Sequence, residues 1–460
     1  MIRDDKKIVI IGAGPCGLGA AWRLNEIGMT NYKIFEKYTN AGGLSASFID
    51  EKGFTWDIGG HVLFSHYNYF DQVMEAVISE EGWLPHERES WIWMRSRFIP
   101  YPLQYNIGRL PEKEMVECLA GLINCRNEGS QNTNFLEWVL RTFGDGIAKH
   151  FLIPYNKKVW AYPLEMLSAQ WTGERVAVPD VKKVIDNIIN GRDDRSWGPN
   201  NIFKFPLHGG TGAIWRSLAE KLPGGKIHLS AELVSLDCEK RILKFKNGRE
   251  ETYDYLISTI PIDQLIKVTR GISSSKEDSF VHSSSHIVGI GLKGEPPEKL
   301  RTKCWMYFPE DDNPFYRVTV FSNYSPNNVP KGEYWSLMGE VSKSPQKPVD
   351  HDHLVNEAMQ GFYNTRLIEK NTPVVSTWSY RAEYAYPTPF LRRDQLLDRY
   401  LVDLQKKNIY SRGRFGAWKY ECGNQDHALM QGVEAVEHIL FGTPELTLHY
   451  PAFVNTHRVR

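Results

Sequence analysis

The chain has 460 residues, 55 basic against 55 acidic side chains for a formal net charge of zero, and 42% hydrophobic residues. That length exceeds one simple core and predicts two or three domains. Balanced charge excludes a nucleic-acid or membrane partner drawn in by bulk electrostatics.

The six cysteines lack CxxC spacing, which argues against a zinc site or a disulfide framework and suits a reducing, cytoplasmic compartment. The charged start runs straight into a strand, leaving no room for a signal peptide, and no apolar run reaches the length of a membrane span. Fourteen tryptophans and twenty-two tyrosines suit a pocket that stacks a base or a sugar, beyond what the core takes.

In chain order, Ile8 to Ile11 reads as a buried parallel strand that enters Gly12-Ala13-Gly14-Pro15-Cys16-Gly17 directly. An apolar-periodic helix follows, then Gly28 and a second strand, Tyr32 to Phe35, ending at Glu36. Gly12 supplies the tight turn, Gly14 lets backbone amides approach a pyrophosphate, and Gly17 permits close helix–strand packing. The helix start offers free donors to phosphate, and Glu36 can accept from ribose hydroxyls. With strand, helix and distal acid all in place, the motif predicts dinucleotide binding rather than packing alone. Next comes Ala41-Gly42-Gly43-Leu44, which resembles the glycine pair that flavoproteins of the amine-oxidase and glutathione-reductase type place beyond that acid, and so favours FAD over NAD.

Gly59-Gly60-His61 pairs glycines with a histidine, a backbone able to lie flat against a ring system, which makes His61 a flavin-facing candidate. His66 follows five residues on, a spacing unsuited to a helical metal pair, with no carboxylate nearby in sequence; no metal is expected. Residues 68 to 100 read as an amphipathic helix running into strands around Trp91-Ile92-Trp93 and Arg95 to Pro100. Helices are expected at Lys113 to Asn124, Asn134 to Phe143, Gly146 to Leu152 and Val181 to Asn190, which together form a helical insert. Asn200 to Gly212 reads as loop and Ala213 to Lys221 as helix. Strands are expected at 226–229, 232–237, 241–245, 252–259, 285–293, 302–308, 315–321, 334–342 and 374–381. A helix at 349–363 precedes the last of these, and Ala428 to Phe441 returns to the first domain. The expected division is 1–85, 200–260 and 410–460 for the dinucleotide domain, 105–198 for the helical insert, and 86–104 with 261–409 for a second sheet.

The motifs in order identify a family. Trp56 to Tyr67, Tyr101-Pro102-Leu103-Gln104, Pro154-Tyr155-Asn156, Gly173 to Ala177, Trp197 to Asn200, Cys304 to Tyr324, Tyr386 to Pro389 and Gly413 to His427 together resemble UDP-galactopyranose mutases of the eukaryotic type over nearly the whole chain. The implied fold class is α/β: a Rossmann-like FAD domain, a helical insert for the substrate nucleotide, and an antiparallel sheet domain.

The implied activity is interconversion of UDP-galactopyranose and UDP-galactofuranose without net redox change, with N5 of reduced FAD as the nucleophile at the anomeric carbon. The resemblance assigns Gly12, Gly14, Gly17, Glu36, Gly43, Leu44, Gly60, His61, Leu233, Asn424 and Gln425 to FAD. It gives Arg175 and Arg317 to the diphosphate, where guanidinium forks suit oxyanions. Tyr324, Tyr386, Tyr420 and Asn424 join them, and His61 stands over the flavin N5 region.

Tyr101, Gln104, Phe151, Tyr155, Asn156 and Trp160 resemble the nucleoside pocket. Leu103 and Lys157 stand where the family has aromatics, which leaves another base conceivable. Arg175 and Asn200 fall on Gly/Pro-bounded loops of the lid type. Arg88 and Arg414 with Tyr307 match positions that would meet NADPH, or NADH, as reductant, and Tyr307 also borders the substrate. A single GxGxxG excludes a separate nicotinamide domain. The implied partner is a nucleotide sugar, and the short C-terminus and short loop near Asn327 favour a monomer or homodimer. Two rivals remain: a mutase of the same mechanism acting on another nucleotide sugar, and a flavin amine oxidase or desaturase, which would line its site with an apolar tunnel.

Overall fold

The computed structural model describes residues 6–125, 134–198, 200–275 and 277–459. Its first unit is built on β1 (Ile8–Ile11), α1 (Pro15–Glu26) and β2 (Tyr32–Phe35). All four residues of β1 are buried, as a strand covered on both faces requires. It lies at the centre of a five-stranded parallel sheet in the order Ile409–Ser411, Tyr255–Ser258, β1, β2, Ile227–His228. Helix α1 packs against the long helix Gln425–Phe441, whose inner positions are buried along most of its length. The chain's final third thus closes the unit that its first residues open.

The second sheet has seven strands, ordered Val374–Pro387, His282–Lys293, Tyr334–Lys343, Arg317–Val320, Trp305–Tyr307, Ser90–Met94 and Arg97–Pro100. It is antiparallel at every pairing except Trp305–Tyr307 against Ser90–Met94, which run parallel. The expected antiparallel sheet is therefore mixed at that one junction, where the hairpin of residues 90–100 joins from far away in sequence.

Local differences have physical causes. Residues Ile202–Pro206, expected as loop, form a strand paired with Trp83–Glu87; Phe203 and Phe205 alternate inward while Ile202 and Lys204 stay out. The 135–147 helix carries a break at Gly144 (φ +72°), where a Cβ would collide with the Gly121 backbone. It continues as a π-helical stretch, Ala148–Leu152, into helix Ile153–Trp160. Helix Leu354–Asn364 begins later than expected, and helices Ile262–Val268 and Arg393–Gln405 were not anticipated.

Candidate functional site

A cavity of about 770 Å³ runs from the carboxyl ends of β1 and β2, past the 58–64 loop, to the strands and loops that carry Tyr307, Arg317 and Tyr386. Ligands of open α/β sheets bind at that end of the strands. Gly12, at φ +98°, makes the turn that only glycine adopts without strain. Gly14 and Gly43 face each other so closely that a Cβ on Gly43 would stand 3.2 Å from the Gly14 Cα. Helix α1 starts beside them with no side-chain cap and no acidic residue in its first turn, so its leading amides are free for an anion. Glu36 is buried; its carboxylate accepts from the Ala13 amide at 2.7 Å and the Tyr38 amide at 2.9 Å. Each oxygen keeps acceptor capacity toward the cavity it lines.

Leu44, Gly60, His61, Leu233, Asn424 and Gln425 line the same cavity, whereas Gly17 does not and serves the contact between α1 and the Gly12 turn. His61 is half-buried, and its buried Nδ1 has no hydrogen-bond partner among the described residues. Burial pushes its pKa down to about 4, with Arg317 and Arg414 adding to the effect against Glu340. The ring is neutral near pH 7 and keeps a nitrogen for a ligand. Paired glycines, an open helix start, a buried acid with spare acceptors and an unsatisfied imidazole make a cradle that fits FAD.

Beyond His61 the cavity is cationic and aromatic. Arg317 donates from Nε to Glu340 Oε1 at 2.6 Å and from an Nη to Oε2 at 2.9 Å. Glu340 also accepts from the Gly60 amide (3.0 Å) and the Tyr316 hydroxyl (2.8 Å). Burial disfavours both charges, yet the Glu340 carboxylate holds Arg317 well above the usual arginine range, and Arg317 holds Glu340 below its ordinary value. The glutamate was not foreseen from sequence; nothing local marks it.

Among the described residues Arg175 has no carboxylate partner. It reaches Asn424 Oδ1 (3.3 Å) and the Glu421 carbonyl (2.9 Å), lies 4.9 Å over the Tyr420 ring, and leaves its buried Nε unpaired. Arg414 donates to the carbonyls of Ala385 and Gly423 and sits over Tyr386 and Tyr420. Burial pulls its pKa below the ordinary value, with the two tyrosines opposing. Arg88 lies 5.7 Å over Tyr101 and donates to Asn200 Oδ1 at 2.7 Å. Asn200, Tyr101, Tyr307, Tyr386 and Tyr420 all line the cavity.

The remaining expected residues stand behind this wall. Phe151 and Tyr155 stack with centroids 5.3 Å apart, and Tyr155 meets Tyr307 edge-on. Trp160 packs edge-on to Tyr386 and Tyr420 with its indole N–H buried and unpaired. Gln104 donates to the Ala177 carbonyl and keeps a buried, unpaired Oε1. Asn156 donates back to the Leu152 carbonyl. Leu103 is fully buried in an apolar cluster, and Lys157 is exposed. Tyr324 is fully buried among Phe203, Phe205 and Phe321, outside the cavity lining.

His66, with no carboxylate near it in sequence, has two near it in space. Its Nδ1 is 2.7 Å from Asp426 Oδ2 and its Nε2 3.2 Å from Glu174 Oε1. His427 Nδ1 lies 3.2 Å from the other Asp426 oxygen. Folding supplies what spacing concealed.

The chain matches the family model of flavin containing amine oxidoreductases over residues 15–440. Over 81 residues it is 37% identical to zeta-carotene desaturase of Capsicum annuum, which covers 18% of this chain and 14% of that protein. Prolycopene isomerase of Arabidopsis thaliana is 26% identical over 352 residues, 66% of this chain and 57% of that one. The chain thus spans only part of the length of these curated relatives. A putrescine oxidase structure, at TM-score 0.64 and 16% identity over 95% of this chain and 99% of that one, shares the fold alone. The crystal structure of reduced UDP-galactopyranose mutase superposes at TM-score 0.96 with 49% identity, over 99% of this chain and 98% of that one. The chain belongs to the flavin-containing amine oxidoreductase family and, within it, to the family of UDP-galactopyranose mutase.

Proposed function

We propose that this protein is an isomerase that interconverts UDP-galactopyranose and UDP-galactofuranose, with FAD held in the cavity in its reduced form. The likeness at TM-score 0.96 and 49% identity to the reduced mutase, over almost the full length of both chains, carries this reading. When bound, reduced FAD supplies a nucleophilic nitrogen, N5, for the anomeric carbon. Gly12, Gly14, Gly43 and the start of α1 hold its pyrophosphate, Glu36 its ribose, and Gly60 and neutral His61 face its ring.

The other residues grip the leaving diphosphate. Arg175 and Arg414 bring charge that no carboxylate among the described residues offsets in their contacts, and a guanidinium stays protonated throughout. Arg317, neutralised by Glu340, acts as a fixed donor rather than a net cation. The hydroxyls of Tyr386 and Tyr420 add donors beside them. Tyr307 and Tyr101 line the cavity and offer a stacking face to the base, while Trp160, Tyr155 and Phe151 pack behind them as an aromatic backing that keeps water from an opened sugar. Gln104 lies behind that wall and supports it through its bond to the Ala177 carbonyl, and Asn200 closes over the ligand with Arg88. The polar, cationic lining disfavours an amine oxidase or desaturase; a mutase for another nucleotide sugar remains the second reading, since Leu103 and Lys157 depart from the family's aromatics.

The reductant in this reading is NADPH or NADH, met by Arg88, Arg414 and Tyr307. We assign residues 1–85, 200–260 and 410–460 to the FAD domain, 105–198 to the helical nucleotide domain, and 86–104 with 261–409 to the sheet domain. The assembly is a monomer or homodimer and the compartment the cytoplasm; among the described residues no helix is long and apolar enough to cross a membrane. The deciding experiment incubates FAD-loaded protein with UDP-galactofuranose and follows UDP-galactopyranose by chromatography. Conversion is expected only after reduction. Equal conversion with oxidised flavin, or none in either state, overturns the reading.

A further inference from the structure

One imidazole joins three segments of the site. His66 follows Gly60 and His61 on the same loop, Glu174 directly precedes Arg175 in the single turn Gly173–Arg175, and Asp426 lies in the first turn of the helix capped by Asn424. His66 Nδ1 is hydrogen-bonded to Asp426 Oδ2 at 2.7 Å, and its amide donates to the same oxygen at 3.1 Å; its Nε2 lies 3.2 Å from Glu174 Oε1, an ion-pair contact not aligned as a hydrogen bond. Among the described residues, that ion pair is the one polar contact of the Glu174 side chain. A turn of three residues has almost no stability of its own. Gly173 is exposed, Glu174 and Arg175 are half-buried, and polar contacts hold their side chains in place.

We propose that His66 and Glu174 are positioning residues whose contact fixes the Gly173–Arg175 turn, so that Arg175 is held ready for the diphosphate. This rests on the diphosphate reading of Arg175 given above.

The ring chemistry supports a bridge. Only an imidazolium carries N–H groups on both nitrogens; a neutral ring would turn a lone pair toward one carboxylate. Burial lowers the basicity of His66, but Asp426 and Glu174 outweigh it and raise the pKa to about 9. The remaining groups packed on the ring are His427, which contacts Asp426 Oδ1 and Asn455 Oδ1, and the side chains of Phe64 and Tyr67. Asp426 is 1% exposed and Glu174 16%, so loss of the proton frees Glu174 and its turn first.

Holding the turn and simple charge make opposite forecasts. A carboxylate beside an anion site repels the anion, so Glu174→Gln should tighten UDP if Glu174 acts through charge alone. Positioning demands weaker binding. UDP affinity is measured on FAD-loaded wild type, Glu174→Gln, Arg175→Ala and the double variant. Glu174→Gln should weaken UDP about tenfold with flavin content unchanged, and should add less than about twofold in the Arg175→Ala background. Wild-type affinity should fall as pH rises through about 9, and that alkaline limb should be absent from Arg175→Ala. Unchanged or tighter UDP in Glu174→Gln, or losses that multiply in the double variant, overturn the positioning role alone. Wild-type affinity in Arg175→Ala overturns the diphosphate reading and the positioning role together.

Discussion

Arg317 and Glu340 meet through two hydrogen bonds, 2.6 and 2.9 Å, across adjacent strands where they are register partners. The carboxylate also accepts the Gly60 amide, one residue before His61. The pair therefore braces the cavity-lining Gly60–His61 loop against the second sheet.

Removing Arg317 strands the buried Glu340 carboxylate, and removing Glu340 leaves the half-buried Arg317 guanidinium unpaired in the cavity wall. Arg317→Ala and Glu340→Ala should each cost about 3–5 kcal/mol of stability, seen as a lower thermal midpoint in both. An unchanged midpoint in both variants would show that the pair carries no structural load. Turnover lost in Arg317→Ala must then be measured well below its midpoint.

Arg175 offers charge without such a brace. Arg175→Ala should lower kcat/KM about 10²–10³-fold, the range seen when one donor to developing charge is removed. The flavin spectrum and flavin content should match wild type. Wild-type kinetics would remove Arg175 from the diphosphate role.

Gly14 separates folding from cofactor binding. Its φ of −82° and ψ of −175° suit any residue, and a Cβ there would touch Gly43 Cα only at an ordinary 3.8 Å. Gly14→Val should therefore fold without FAD much as wild type does, yet take up under about a tenth of the flavin, because the added side chain fills the space where a pyrophosphate must approach. Full flavin content in Gly14→Val would refute the cradle.

His61 and His66 titrate in opposite senses. The folded pKa of His61, about 4, lies below the ordinary 6.5, so the unfolded chain binds the extra proton as pH falls from 6.5 toward 4 and stability drops across that window. In His61→Asn that part of the slope should disappear. The folded pKa of His66, about 9, lies above 6.5, so its stabilisation is complete below 6.5 and fades as pH rises toward 9. In His66→Gln the alkaline fall should flatten. Thermal midpoints against pH check both, and slopes identical to wild type would contradict the assigned protonation states.

Glycine spacing and apolar runs made the nucleotide cradle legible in sequence. Gly12, Gly14 and Glu36 all fall within one strand–helix–strand unit, where local geometry follows from local residue types. The strands around 285–293, 334–342 and 374–381 were readable for the same reason, from their β-branched and aromatic content. Strand Ile202–Pro206 was not, because its pairing with Trp83–Glu87 comes from distant chain and its prolines and flanking glycines read as loop. Tyr324 read as a site residue from its motif, and packing placed it among phenylalanines instead.

By itself the sequence determined that a dinucleotide unit exists, where it begins, and which family motifs accompany it, since each depends on neighbours a few residues apart. Tertiary structure alone decided which charges are spent and which remain. Glu340 neutralises Arg317 across 23 positions, and Asp426 reaches His66 across 360. Electrostatic energy depends on distance in space and on burial, and neither is written in the spacing of residues along a chain.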